Sequence, residues 1–179
     1  MAGKSSRECG TTAAAGALSA LIAIGFAGAA PARADEWNGD DWALNGTFHA
    51  ISNGDWAATN DVYRGEATVR STWTISMTCS NAVTCAGRVT SDAGWSSDIV
   101  YTGSEYDVKR VIPNWEPCVD GRTVTGHQRF RFAPVDVSGF IHPGSPTFAG
   151  FDKTVGESGG CSLNDKLEIA MPFRLERVN

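Results

Sequence analysis

The sequence has no surplus of positive charge: 15 Lys and Arg stand against 20 Asp and Glu, a formal net charge of −5. That balance argues against a nucleic-acid partner, whose phosphates are met by clustered bases, and against docking on anionic lipid headgroups. There is no C-x-x-C pair, so the usual spacing of a zinc site is missing. Three histidines, His49, His127 and His142, stand far apart with no ligand spacing. No stretch shows a convincing helical period, and no long, strongly apolar run is present of the kind that spans a bilayer. These absences lead to an expectation of no metal and no cofactor.

What is present first is an export signal. Lys4 and Arg7 precede an apolar run from Ala13 to Ala30 rich in small residues, and Ala32-Arg33-Ala34 follows as an A-x-A cleavage site. Residues 1–34 therefore read as a secretory signal peptide cut before Asp35. The rival reading, a transmembrane anchor, is disfavoured because the run is short, weakly hydrophobic and followed by that small-residue site. Cys9 lies before the apolar run, so it cannot be the lipid-bearing cysteine that follows such a run in a lipoprotein. Residues 35–179 would be a single domain of 145 residues with 12 basic and 19 acidic side chains, net −7, and no integral membrane segment. The predicted location is outside the cell or in its envelope.

Four cysteines remain after cleavage: Cys79, Cys85, Cys118 and Cys161. An even number behind a signal peptide reads as disulfides before metal. Three pairings are open on paper. Cys79 with Cys85 and Cys118 with Cys161 is the favoured one, because a hairpin would bring the first two together.

That hairpin is the clearest pattern in the chain. From Ala67 to Cys79 apolar and polar residues alternate without a break, with Trp73, Ile75, Met77 and Cys79 on one face and Thr72, Thr74, Ser76 and Thr78 on the other. A period of two specifies a half-buried strand, and a second alternating run follows from Cys85 to Ser91. Further strands read over Leu44–Ser52, Asp98–Thr102, Tyr106–Ile112, the region around Phe130 and Phe132, Phe148–Phe151 and Leu167–Leu175. On the Tyr106 strand, Arg110 is the one charged member of an apolar face. Asn53-Gly54 is a turn signal, Asp55–Gly65 reads as a loop or one short helical turn, and Pro113–Gly121 reads as a rigid loop outside the ladder. The fold predicted is all-β: about eight antiparallel strands in a meander, first an up-and-down, lipocalin-like β-barrel and second a β-sandwich. Pro172 disputes closure, since it cannot donate to a ladder, and predicts a bulge or an open edge there.

Chemistry-bearing patterns are sparse. Gly156-Glu157-Ser158-Gly159-Gly160 fits G-x-S-x-G, but that nucleophile needs a strand-to-helix turn, and no helix is predicted. A hydrolase using Ser158 is accordingly the third functional reading, and no catalytic residue is assigned. The acidic start from Asp35 to Asp41 lacks the spacing of an EF-hand loop and reads as a solvated terminus. Six tryptophans are many for this length. Trp73 belongs to the core, whereas Trp56, Trp95 and Trp115 fall in loops, where they either plug the core or close a barrel mouth over a ligand.

With those residues in hand, a resemblance can be stated. Leu44-Asn-Gly-Thr-Phe, Ser71-Thr-Trp-Thr-Ile, Val89-Thr-Ser-Asp, Val111-Ile-Pro-Asn-Trp-Glu-Pro-Cys118 and Met171-Pro-Phe-Arg-Leu resemble a group of small, uncharacterised exported proteins of mycobacteria and related actinobacteria. The resemblance implies export and disulfides, and brings no activity and no catalytic residues. Two functional expectations follow. The first is a barrel that binds a lipid or other small apolar or amphipathic molecule, with Trp115 at its mouth. The second is a solid barrel that meets a partner, as yet unknown, through rigid loops.

Overall fold

The computed structural model describes residues 42–162 and 165–178. The predicted signal peptide and the acidic start from Asp35 to Asp41 lie outside the described residues. The chain forms strands β1 (Asn45–Ser52), β2 (Ala58–Thr59), β3 (Val62–Tyr63), β4 (Val69–Asn81), β5 (Thr84–Ser91), β6 (Trp95–Tyr101), β7 (Tyr106–Pro117), β8 (Thr123–Pro134), β9 (Thr147–Gly156) and β10 (Glu168–Arg177). Eight of them follow the order β1-β4-β5-β6-β7-β8-β9-β10, and β1 pairs with β10 to close an antiparallel barrel. Closure gives each of these eight strands a partner on both sides, which is how a meander of this size limits edge-to-edge association.

The alternation read from sequence is the alternation of the wall. Phe48, Trp73, Ile75, Val89, Ile99, Val108, Phe132 and Leu175 are buried inside, and their neighbours in sequence point out. Trp73 is the hub of the interior. Its ring lies 4.9 Å from Phe130, 5.2 Å from Phe173 and 5.3 Å from Trp95, centroid to centroid. Tyr106, Phe132 and Phe148 continue the ring cluster along the axis. Such rings bury the most area per residue and dominate small cores.

Both disulfides form as favoured. Cys79 and Cys85 face each other across the β4–β5 hairpin, Cα atoms 3.9 Å apart, and Cys118 joins Cys161 with 5.0 Å between Cα atoms.

Three local readings are corrected. The stretch from Asp55 to Gly65 holds a 3-10 turn at Gly54–Trp56 and then a hairpin, β2–β3, whose two-residue turn places Asn60 and Asp61 at φ 48° and 63°. Positive φ at both central residues is the turn that matches strand twist, and Asn and Asp tolerate it. The prolines at 113 and 117 do not end β7. The strand bulges between Ile112 and Glu116, with Asn114 at φ 54°, and rejoins β8 at Glu116–Val124 and Pro117–Thr123. Pro172 lies on no open edge. Its carbonyl accepts from the Asn53 amide, 2.8 Å, at the point where the partner of β10 changes from β1 to β2, so its missing N–H falls in the gap between two strands.

Candidate functional site

The wall of the barrel is uneven between β6 and β7. They pair at Ile99–Val108, Val100–Asp107 and Tyr101–Tyr106 only, although both strands run on, β6 back to Trp95 and β7 on to Pro117. Where the ladder stops, the Ser97 hydroxyl donates to the Lys109 carbonyl in place of a backbone amide. Beyond that point the wedge is filled by side chains.

Arg110 fills it. The Tyr106–Ile112 alternation turns Arg110 inward, and its guanidinium lies 4.6 Å from the centre of the Trp95 ring. Arg110 Nε donates to Gln128 Oε1, Gln128 Nε2 donates to Asp152 Oδ1 at 2.7 Å, and Ser52 Oγ donates to Asp152 Oδ2 at 2.6 Å. Gln128 accepts from the cation with its oxygen and donates to the carboxylate with its nitrogen, which gives its amide one orientation here. Asp152 is 1% exposed. Burial raises its carboxyl above the ordinary range, while Ser52, Gln128 and Arg110 pull the other way. Burial likewise lowers Arg110, and the charge of Asp152 opposes that. A polar layer of four strands thus sits directly on the aromatic core: Ser52 from β1, Arg110 from β7, Gln128 from β8 and Asp152 from β9.

One layer further out, the long ends of β7, β8 and β9 continue past the closed wall. There the Trp115 indole lies on Gly126, where an added Cβ would come within 2.7 Å of the indole Cγ, and reaches Gly156. The two glycines make the seat, and the Cys118–Cys161 bridge ties the same end.

The three tryptophans singled out from sequence therefore share one end of the barrel, but no ring contact joins them. Trp95 is half-buried between Phe130 and Arg110. Trp115 is half-buried on its glycine seat. Trp56 is 70% exposed and meets Tyr63, 68% exposed, edge to face at 6.4 Å, with the Tyr63 hydroxyl bonded to the Asp55 carbonyl. Ser158 is exposed in the loop after β9, and no described histidine or carboxylate hydrogen-bonds to it. His49, His127 and His142 are exposed, and among the described residues no three His, Cys, Asp or Glu side chains gather as metal ligands. Nor is any described helix long and apolar enough to cross a membrane.

Asp152, Gln128 and Ser52 were not marked by sequence reasoning, although the signal was there. Gln128 shares the phase of Phe130 and Phe132, and Asp152 and Thr154 continue the phase of Phe148 and Gly150. A strand read over Phe148–Phe151 alone ends before Asp152 and Thr154, whereas β9 runs on to Gly156.

Outside the barrel, a depression of about 920 Å³ runs over the outer faces of β7 to β10. Lys109, Arg129 and Lys153 stand in one cross-strand row there, with Arg131, His127 and exposed Phe151 beside them. Like charges in one row repel; Asp107 offsets this by pairing with both Arg129 and Lys109, Glu105 pairs with Arg131 and Glu168 with Lys153.

No family model matches the sequence, and no curated protein matches it. Among solved structures, the fold is similar to the monomer form of the M. tuberculosis PknI sensor domain, at 11% identity and a TM-score of 0.53, over 76% of this chain and 88% of that one. At that identity the likeness is one of fold alone.

Proposed function

We propose that this chain is an exported, non-catalytic recognition module: a solid, disulfide-stapled barrel that meets its ligand or partner at its surface. The observation that carries the reading is the occupied axis. A barrel of eight strands has room either for side chains or for one small ligand, and here the rings of Trp73, Phe130, Phe132, Phe173, Tyr106 and Phe148 take the space. An apolar molecule inside the barrel would have to displace that cluster. Two disulfides support export, because such bonds persist in oxidising compartments. The likeness of fold to a sensor domain supports recognition over catalysis.

Mass spectrometry of the protein purified from an exporting host, followed by analysis of its organic extract, tests the reading without a guess about ligand. The expected result is a chain beginning at Asp35, lighter by the four hydrogens of two disulfides, with nothing apolar extracted in stoichiometric amount. A stoichiometric lipid in the extract would overturn the solid barrel and restore the carrier.

A further inference from the structure

A buried arginine beside a buried aspartate ordinarily forms a direct, two-pronged ion pair, since that geometry satisfies both charges at once. Arg110 and Asp152 do not do this. Asp152 spends its two oxygens on Ser52 and Gln128, and Arg110 reaches it only through the Gln128 amide. Among the described residues, Gln128 is the hydrogen-bond partner of Arg110, through Nε, and the two terminal nitrogens with their four N–H groups are left uncommitted. The guanidinium is held on both sides that matter: the Trp95 face fixes its plane and the Gln128 carbonyl fixes its rotation. It sits where β6 and β7 part, half-buried and still in reach of solvent.

A planar cation with its orientation fixed, its fork free and its surroundings partly dehydrated is matched chemically by a group with two anionic oxygens. Partial burial weakens competition from water and strengthens a charge-assisted bond. The opposing charge nearby is Asp152, which makes no direct ion pair with Arg110 and accepts instead from Ser52 and Gln128. We propose that the end of the barrel where β6 and β7 part is a binding site for an oxyanion, a carboxylate or a phosphate group, gripped by the terminal nitrogens of Arg110. Gln128 is a positioning residue, and Trp95, with Phe130 stacked on its far side, holds the plane of the guanidinium. The inference rests on the reading of the chain as a surface-recognition module, and it deepens that reading by naming the ligand chemistry.

The test is a titration of the ¹⁵N-labelled protein, purified from an exporting host, with sodium acetate and separately with inorganic phosphate, against sodium chloride of equal ionic strength. The Arg110 Nε–H and Trp95 indole N–H signals report the site. Saturable shifts of both with acetate and phosphate are expected, with Arg110→Lys binding roughly tenfold more weakly because a point charge replaces the fork. Response to acetate alone would support the site and assign a carboxylate ligand; response to phosphate alone would support it and assign a phosphate. Shifts no larger than those from chloride would overturn the proposal, and so would unchanged affinity in a folded Arg110→Lys. The wild-type comparison with chloride decides the matter even if the variant does not fold. Failure here would leave a bare, ligand-free chain in the mass spectrum untouched, so the two readings fail separately.

Discussion

The two ends of the barrel are built from the same alternation and filled by different chemistry. At one end Tyr101, Tyr106, Phe148, Leu44 and Met77 point inward, Trp42 stacks on Tyr101 at 4.9 Å, and its carbonyl accepts from the Tyr106 hydroxyl at 2.7 Å. The Tyr106 hydroxyl is thus paired within the lid. Burial, with Tyr101 beside it, pushes the Tyr106 phenol well above its usual range, so the hydroxyl stays a donor. At the other end the inward positions are Ser52, Arg110, Gln128, Asp152 and Thr154, and the wall itself parts between β6 and β7. Inward phase thus does not mean apolar. One end seals the core, and the other spends burial on holding a cation in a set orientation.

The largest effects should separate a sealed core from a stapled mouth. Phe48 is fully buried against Phe148, and Phe48→Ala should cost about 3–5 kcal/mol in denaturant unfolding; a loss below 1 kcal/mol would mean that this end is loosely packed. The disulfides come next, one at each end. By loop length, opening Cys118–Cys161, separation 43, should cost about 4 kcal/mol, against about 2.3 for Cys79–Cys85, separation 6. Paired Cys→Ser variants compare them, and a reversed order would show that the mouth does not depend on its staple.

Asp152→Ala strips a partner from both Ser52 and Gln128 and should cost about 1–3 kcal/mol, whereas Asp152→Asn keeps both contacts once the Ser52 hydroxyl turns. The two forms also differ with pH. Burial raises the folded carboxyl above its unfolded value, so the native state binds that proton more tightly. Its contribution is fully present below the ordinary carboxylate range and is lost as pH rises toward the folded value. Asp152→Asn should therefore flatten this slope. Asp107, on the outer face, has the opposite sign. Burial raises it, but Arg129 and Lys109 outweigh that and hold it low, so its contribution is lost as pH falls. A wild type no more pH-sensitive than Asp152→Asn across the acid range would contradict the buried-carboxyl account. The smallest effect belongs to the lid: Tyr106→Phe leaves the Trp42 carbonyl without its donor and should cost about 1 kcal/mol.

Much of this was legible in the sequence because a strand has a period of two and the core obeys it. Trp73, Ile75 and Met77 announced the central hairpin, and Cys79 and Cys85 its staple. The β2–β3 hairpin was not legible, since two residues per strand carry no period, although Asn60-Asp61 is the kind of pair its turn requires. Pro113 and Pro117 disguised the continuation of β7, because a bulge with Asn114 at positive φ lets the strand absorb them. At the site, Arg110 stood out as the charged member of an apolar face. Its partners lie 18 to 58 residues away in sequence, and only closure of the barrel brings Ser52, Gln128 and Asp152 to it.

The most direct test of the difference between the ends is native-state hydrogen exchange read residue by residue. The amides of Tyr101, Tyr106 and Val108 should exchange only through global unfolding, while some of those in Trp95–Asp98 and Lys109–Ile112, where the ladder has parted, should exchange through local openings of lower free energy. Equal protection along the whole length of β6 and β7 would mean that the wall is continuous, and the account of a sealed end and an open one would fall.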